Sequence, residues 1–324
     1  MGAMVRAVTP PTPDDIAAAH DIIARYLTPT PTVTLTMRGR PVVVKLETLN
    51  PTGSFKVRGA LAAIAAAVAD DPGTAVIASS AGNHGLGIAY AAQLLGARAT
   101  VVVPASASAA KVNKLRQYPI ELIQWGASYD EAQARALELS DERGLRFLSP
   151  FNDPHVVAGQ STVTTEMLHQ APEMEHLVVS VGGGGLISGS LIARDLVGRR
   201  DLRVTGVQPE NSAALYHVLH GATMNDVPHL PTIADGLAGG GDDGAITNDI
   251  VRAHQIPLVL VAERHIRAAV RECVDETGLV MEGSASASYA AITENYINDT
   301  TRRVGFIACG RNIASDLLRT LLTE

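Results

Sequence analysis

Only two cysteines, Cys273 and Cys309, occur in the 324 residues. They are too few for a disulfide framework and form no C-x-x-C pair, so a reducing cytoplasm is the expected compartment. Basic residues are not in excess either. Twenty-six Lys and Arg face 33 Asp and Glu, a net charge of −7, which argues against a nucleic-acid or anionic-membrane surface. Long apolar runs are missing: the longest, residues 59–69, is too short to span a bilayer and too rich in alanine for a secretory core. Arg6 stands where an N-myristoylation pattern needs Ser or Thr, and Met1-Gly2-Ala3-Met4 reads as a cloning remnant before a native start at Met4. There are no internal repeats and no low-complexity linker.

What is present is ordinary globular composition, 46% hydrophobic and 18% charged, in a chain long enough to favour two lobes. Thr12 is a good N-cap, Pro13 fits the first helical position, and Asp14 and Asp15 oppose the helix dipole. Ile16, Ala19, Ile23 and Tyr26 then repeat at helical spacing. Residues 27–31 break this helix, and 41–46 (PVVVKL) read as a buried strand. Beyond that the chain alternates. Helices are predicted over 57–70, 88–95, 109–118 and 130–143, and strands over 74–78, 99–103, 121–124, 177–181 and 203–207. Strictly alternating elements with β-branched, unpolar strands imply an α/β fold with parallel sheets covered on both faces. Residues 73–150 form one set of such units, expected as a smaller lobe inserted into a larger one made of 1–72 and 151–324. The stretch 235–244 (DGLAGGGDDG) reads either as a moving active-site edge or as a plain surface turn.

Two glycine-rich turns link strand to helix. In Ser79-Ser80-Ala81-Gly82-Asn83-His84-Gly85 the backbone amides suit a carboxylate, and Asn83 offers an amide to a ring oxygen. His84 is read as either a satisfied structural histidine or a catalytic base. In Gly182-Gly183-Gly184-Gly185 the turn follows an apolar strand and precedes a helix opening near Ser188. Such a turn aims several N–H groups and a helix N-terminus at one place, which suits a phosphate. No register gives G-x-G-x-x-G, Gln208 rather than an acid ends the next strand, and Ser190 occupies the P-loop lysine position. A dinucleotide or mononucleotide site is therefore excluded, while tight strand–helix packing stays open as the other use of the glycines.

Residues 50–60 read NPTGSFKVRGA. Lys56, between Phe55 and Val57 at a loop-to-helix junction, would be partly desolvated, which lowers an amine's pKa toward that of an imine-forming lysine. Taken alone, the segment describes a snorkelling surface lysine better. The combination is more telling: TGSFKVRGA at 52–60, SAGNHG at 80–85 and VGGGGLISG at 181–189 occur in that order in one chain. The set resembles the fold-type II pyridoxal-phosphate enzymes, tryptophan synthase β-like in fold, and within them the threonine/serine dehydratase and serine racemase branch. The resemblance runs nearly end to end. It includes KLETLNPTGSFK, PFNDP and HVVAGQ around 150–160, TIADGLA at 232–238 and VMEGSASA at 280–287.

The resemblance implies two lobes, each with a mainly parallel sheet flanked by helices, the larger binding pyridoxal 5'-phosphate and the smaller carrying the asparagine loop. Lys56 matches the Schiff-base lysine, with Phe55 beside the cofactor. Gly182, Gly183, Gly184, Gly185 and Leu186 match the phosphate loop, and Asn83 the contact to the ring hydroxyl. The backbone of Ser80, Ala81, Gly82, Asn83 and His84 would hold a substrate carboxylate. Cys309 matches the position facing the pyridine nitrogen, where a neutral thiol, of ordinary pKa about 8.5, does not force protonation. The resulting weak electron sink favours loss of a β leaving group over transamination. Gly236, Glu282 and Arg311 are further pocket candidates.

Three departures refine this. Ala81 stands where the racemases of the branch carry an acid/base serine, so elimination with little racemisation is expected unless Ser80 substitutes. Gln208 and Ala214 replace the two acids that bind a divalent cation in many relatives, and Glu210 is out of register, so no metal is expected. Gly310-Arg311-Asn312 and Gly239-Gly240-Gly241 depart from the usual pattern and also resemble dehydratases linked to hydroxyectoine breakdown. Arg311 either reaches an extra acidic group on a substrate or lies at the surface. With the sequence ending at Glu324, no regulatory domain of the isoleucine-inhibited threonine dehydratases, and so no such feedback, is expected. The expected activity is a dehydratase, an ammonia-lyase turning a small 3-hydroxy amino acid of threonine or serine type into a 2-oxo acid and ammonia, working as a cytoplasmic homodimer. A dehydratase of a hydroxyectoine-derived amino acid, a serine racemase and a non-catalytic cofactor carrier are the alternatives.

Overall fold

Thr12 accepts the Asp15 N–H at 3.2 Å while the Asp15 carboxylate accepts the Thr12 N–H at 2.8 Å. This reciprocal cap, with Pro13 in the first turn, fixes the start of α1 (Pro13–Tyr26) where the sequence places it. The computed structural model describes residues 8–223, 226–227, 230–239, 241–297 and 302–324. The N-terminal residues Met1 to Met4 and Arg6 lie outside them.

After α1 comes a hairpin whose first strand has no counterpart among the sequence expectations: β1 (Thr32–Met37), a turn at Arg38 and Gly39 with φ of 46° and 74°, and β2 (Arg40–Lys45). A single 3-10 turn, Glu47–Leu49, leads to α2 (Lys56–Asp70). Next follow β3 (Ala75–Ser79), α3 (Asn83–Leu95), β4 (Arg98–Val103), α4 (Ala109–Leu115), β5 (Glu121–Gln124), α5 (Tyr129–Arg143) and β6 (Arg146–Phe147). Their strands make a four-stranded parallel sheet in the order β5-β4-β3-β6.

The chain then runs through α6 (Pro154–Gln170), β7 (His176–Ser180), α7 (Gly185–Leu196), β8 (Arg203–Pro209), α8 (Ala214–Leu219), α9 (Ile246–His254), β9 (Leu258–Val261), α10 (Glu263–Thr277), α11 (Gly283–Thr293), β10 (Val304–Ile307) and α12 (Ser315–Thr323). Strands from both ends of the chain build the larger sheet, β1-β2-β10-β7-β8-β9, parallel except for the β1–β2 hairpin. The parallel α/β character read from the alternation is what the structure has.

Two helices begin earlier than their sequence patterns suggest: α3 at Asn83, not residue 88, and α7 at Gly185, not 188. Glycine lowers helix propensity, but close packing outweighs that here. A Cβ on Gly87 would stand 3.1 Å from the Lys56 carbonyl, and one on Gly189 2.7 Å from the Ser161 nitrogen. Conversely α4 ends at Leu115, short of the expected 118.

Helix α2 packs on α3 on one side and α6 on the other, and a buried charge cluster keys it in place. Arg58 has no solvent exposure; its guanidinium donates to both Glu47 oxygens at 2.8 Å and to both Glu166 oxygens at 2.7 Å. Lys45, equally buried, donates to Glu166 at 2.8 Å and to the Thr30 carbonyl at 2.6 Å. Burial alone would raise the Glu166 pKa, but Arg58 and Lys45 outweigh it and hold the carboxyl below its ordinary value. Such a lowered carboxylate stabilises the fold above the unfolded pKa, and that share is lost as pH falls through the folded one. Replacing Arg58 by Met should cost about 3–5 kcal/mol, since Glu47 is left buried and uncompensated. Urea unfolding of R58M at neutral pH checks this, and a loss below about 1 kcal/mol would contradict it.

Candidate active site

The carboxyl ends of β3 and β7 open on one cleft of about 330 Å³, the place where open parallel sheets bind ligands. Phe55, Lys56, the 80–84 turn, the 182–185 turn, Leu186, Gly236, Glu282 and Cys309 all line it. Residues spread over some 250 positions of sequence thus meet in one cavity, because the 3-10 turn and α2 carry Lys56 between the two sheets.

Lys56 is the first residue of α2 and points into the cleft. Its ammonium donates to the Pro150 carbonyl at 2.9 Å and lies 5.2 Å from the centre of the Phe55 ring. Burial lowers its pKa to about 8, with Cys309 and Glu282 pulling weakly the other way. One short, exposed contact network would not do this; removal from water does. Phe55 is anchored by its own N–H, which donates to the Cys309 carbonyl at 3.0 Å.

The 182–185 turn combines both uses of glycine. Gly184 has φ +88°, and a Cβ there would stand 2.9 Å from the Thr247 side chain; a Cβ on Gly183 would overlap the Phe151 ring. Packing therefore explains these two glycines locally. The turn nevertheless leads straight into α7 at Gly185, so the unpaired first-turn N–H groups of that helix open on the cleft. Thr247 Oγ1 donates to the Gly183 carbonyl at 2.7 Å and braces the turn.

On the other wall, Asn83 begins α3 and donates from Nδ2 to Glu282 Oε1 at 2.7 Å. Asn312, a residue the sequence reading did not single out, donates to Asn83 Oδ1 at 2.7 Å and to the Thr52 carbonyl at 2.8 Å. Its backbone N–H reaches Glu282 Oε2 at 2.8 Å. Burial first, then Asp235, raises the Glu282 pKa to about 7 against the pull of these donors. His84 Nε2 bonds the Leu148 carbonyl at 3.0 Å, and burial beside Lys56 lowers its pKa to about 3. It is a neutral ring with a structural bond. Ser80 Oγ accepts the Gly82 N–H at 3.2 Å, shaping the turn. Burial and Glu282 push the Cys309 thiol well above its ordinary pKa, so it is neutral.

Arg311 does not line the cleft. It is exposed, its N–H donates to the Gly53 carbonyl at 2.9 Å, and Asn312 turns inward instead. The 235–244 stretch contributes Asp235, Gly236 and Gly239 to the cleft wall, and its Asp242 accepts from Asn152 Nδ2 at 3.0 Å; Gly240 lies outside the described residues. Gln208 Oε1 accepts the Tyr216 N–H at 2.7 Å, and its Nε2 is buried without a partner. Phe151, Lys111, Lys114, Asp235 and Ser284 also line the cleft without having been picked out from sequence. Of these Phe151, Asp235 and Ser284 lie inside the PFNDP, TIADGLA and VMEGSASA motifs, whereas Lys111 and Lys114 carried no signal.

If burial sets the Lys56 pKa, the cofactor-free protein should form a Lys56-dependent imine with a small aldehyde at a rate rising with an apparent pKa near 8. A midpoint near the ordinary lysine value of about 10.4 would contradict it.

Residues 23–310 match the sequence pattern of the family described as "Pyridoxal-phosphate dependent enzyme". An L-threonine ammonia-lyase of Thermotoga maritima is 36% identical over 286 residues, covering 88% of this chain and 71% of that one. A biosynthetic L-threonine dehydratase of Pasteurella multocida is 35% identical over 264 residues, 81% of this chain and 50% of its own length. Among solved structures, a pyridoxal 5'-phosphate-dependent aspartate racemase superposes with a TM-score of 0.86 at 31% identity, covering 96% of this chain and 98% of that one. With a buried lysine, a glycine turn and an asparagine wall assembled as above, the chain belongs to the fold-type II family of pyridoxal-phosphate dependent enzymes.

Proposed function

We propose that this protein is an ammonia-lyase that removes the β-hydroxyl of a 3-hydroxy amino acid, of threonine or serine type, and releases a 2-oxo acid and ammonia. The residues fit the family cofactor on three counts. The first turn of α7 offers unpaired N–H groups to a phosphate, Lys56 offers an amine with a pKa near 8 to an aldehyde, and Ser79 Oγ is a buried cleft hydroxyl without a partner. Pyridoxal phosphate, when bound, supplies an aldehyde for amine condensation and a ring that accepts the electron pair left at Cα.

The chain's own residues do the rest. The turn at 182–185 and Leu186 would hold the phosphate, Phe55 would pack beside the ring, and Asn83, oriented by Glu282 and Asn312, would offer its amide to the ring oxygen. The amides of residues 80–84 and the N-terminal end of α3 receive the substrate carboxylate. Lys56 would serve as the base for the Cα proton, its low pKa leaving much of it neutral near pH 8. The neutral Cys309 thiol would offer the ring nitrogen no charge to hold a proton there, which would favour loss of the hydroxyl over transamination.

Ala81 is the observation that carries the choice of elimination. It lines the cleft but has no proton to give; the neighbouring Ser80 oxygen accepts the Gly82 N–H, which fixes that hydroxyl in the turn but leaves its own proton available, so Ser80 is the group a racemase reading would have to use. The likeness to an aspartate racemase favours racemisation as the second reading. We also propose residues 73–150 as the smaller domain, a homodimeric assembly and a cytoplasmic location; both thiols are buried and unpaired, which suits reducing conditions. No helix among the described residues is long and apolar enough to cross a membrane.

The purified protein with added cofactor should show an absorption band that Lys56→Ala abolishes, and should release 2-oxo acid from a hydroxy amino acid faster than it interconverts enantiomers. Ala81→Ser should shift that balance toward racemisation. Faster racemisation by the unaltered protein would overturn the elimination reading, and a band without any turnover would point to a carrier.

A further inference from the structure

Helix α4 belongs to the small sheet's side of the cleft, yet it sends two lysines into the cavity, Lys111 and Lys114. Three residues apart, they share one helix face. Their charges are treated differently. Lys111 is paired with Asp235 across the cleft mouth at 2.7 Å. Lys114 has no carboxylate within ion-pairing range among the described residues; its ammonium donates to the neutral Asn312 Oδ1 at 3.1 Å. Asn312 is held on its far side by Asn83 and Thr52, so its amide cannot turn to offer Lys114 more. The remaining acid of the cleft, Glu282, is taken up by Asn83 and the Asn312 N–H, and titrates near 7. One uncompensated cation therefore stands at the mouth, a single residue removed from the wall that begins with Asn83.

We propose that Lys114 is a specificity residue that receives a second carboxylate on the substrate, so that the preferred substrate is a 3-hydroxy amino acid bearing an acidic group at C3. The inference rests on the lyase reading above and narrows it. The two carboxylates divide between the two cationic features of the small-lobe side: the α-carboxylate on the 80–84 amides and the distal one on Lys114. A methyl or hydrogen at that position, as in threonine or serine, leaves the Lys114 charge unused. Lys114 is exposed at the cleft mouth, and even there an ammonium–carboxylate hydrogen bond contributes more than a neutral one. The reaction balances without an oxidant. The Cα–H and Cβ–OH bonds break and water leaves, hydrolysis of the resulting enamine takes up one water, and the products are a 2-oxo dicarboxylic acid and ammonia.

The test compares 3-hydroxyaspartate, serine and threonine on the cofactor-loaded protein and on Lys114→Gln, which keeps a polar group but no charge. The preference for 3-hydroxyaspartate, in kcat/KM, should be about tenfold or more and should fall about tenfold in K114Q, mainly through KM, as expected for one lost charge-assisted bond. Binding is read separately with aspartate and alanine, neither of which can lose a β-hydroxyl: calorimetry should show aspartate bound more tightly, with the difference removed in K114Q. Serine or threonine preferred by the unaltered protein, or a ratio unmoved in K114Q, overturns the inference while leaving the lyase reading standing. Absence of 2-oxo acid from every compound sinks the lyase reading, and the aspartate binding result then still decides whether Lys114 selects a second carboxylate.

Discussion

Two residues beyond Lys56 on the same helix, Arg58 is enclosed by Glu47 and Glu166 without any exposure to solvent. Buried ion pairs seldom add net stability, because desolvation consumes what the Coulomb attraction returns. What this one supplies is position: four charge-assisted bonds from a planar fork allow α2 one depth and one rotation. Close approaches reinforce it. A Cβ on Gly159 would stand 2.6 Å from the Arg58 carbonyl oxygen, and one on Gly87 3.1 Å from that of Lys56. With α2 held from both sides, its first residue has nowhere to point but into the cleft, where Pro150 and Phe55 meet it.

The cleft then sorts charge by burial. Cys309 and His84 are kept neutral, Lys56 is brought near the point where amine and ammonium are equally populated, and Glu282 is raised toward neutrality. The backbone adds positive character to that of Lys111 and Lys114: the starts of α3 and α7 face the same cavity from the two sheets. A site built this way turns two helix starts toward one cavity with no arginine among its described lining residues, and of its three lysines it buries Lys56.

Much of this was legible in the sequence wherever the cause is local. The Thr12–Asp15 cap and the strand at 121–124 fall where their residues put them, and the parallel sheets follow from the strict alternation. The two glycine turns read as anion-directed, and both border the cleft. What stayed hidden depends on partners far along the chain. Nothing near Arg58 reveals that Glu47 and Glu166 enclose it, and nothing near Lys114 points to Asn312, 198 residues away. The starts of α3 and α7 were read late because glycine argues against helix locally, whereas the packing that reverses this is tertiary. Arg311 attracted attention as an unusual residue in its motif, yet its neighbour Asn312 is the one that lines the cleft, held there by its bonds to Asn83, Thr52 and Glu282.

The central claim is that Lys56, alone among the three lysines lining the cleft, carries the cofactor covalently. Borohydride reduction of the cofactor-loaded protein, followed by mass-spectrometric peptide mapping, tests it directly. The account predicts a pyridoxyl group on Lys56. The same group on Lys111 or Lys114, or on no lysine at all, would contradict it.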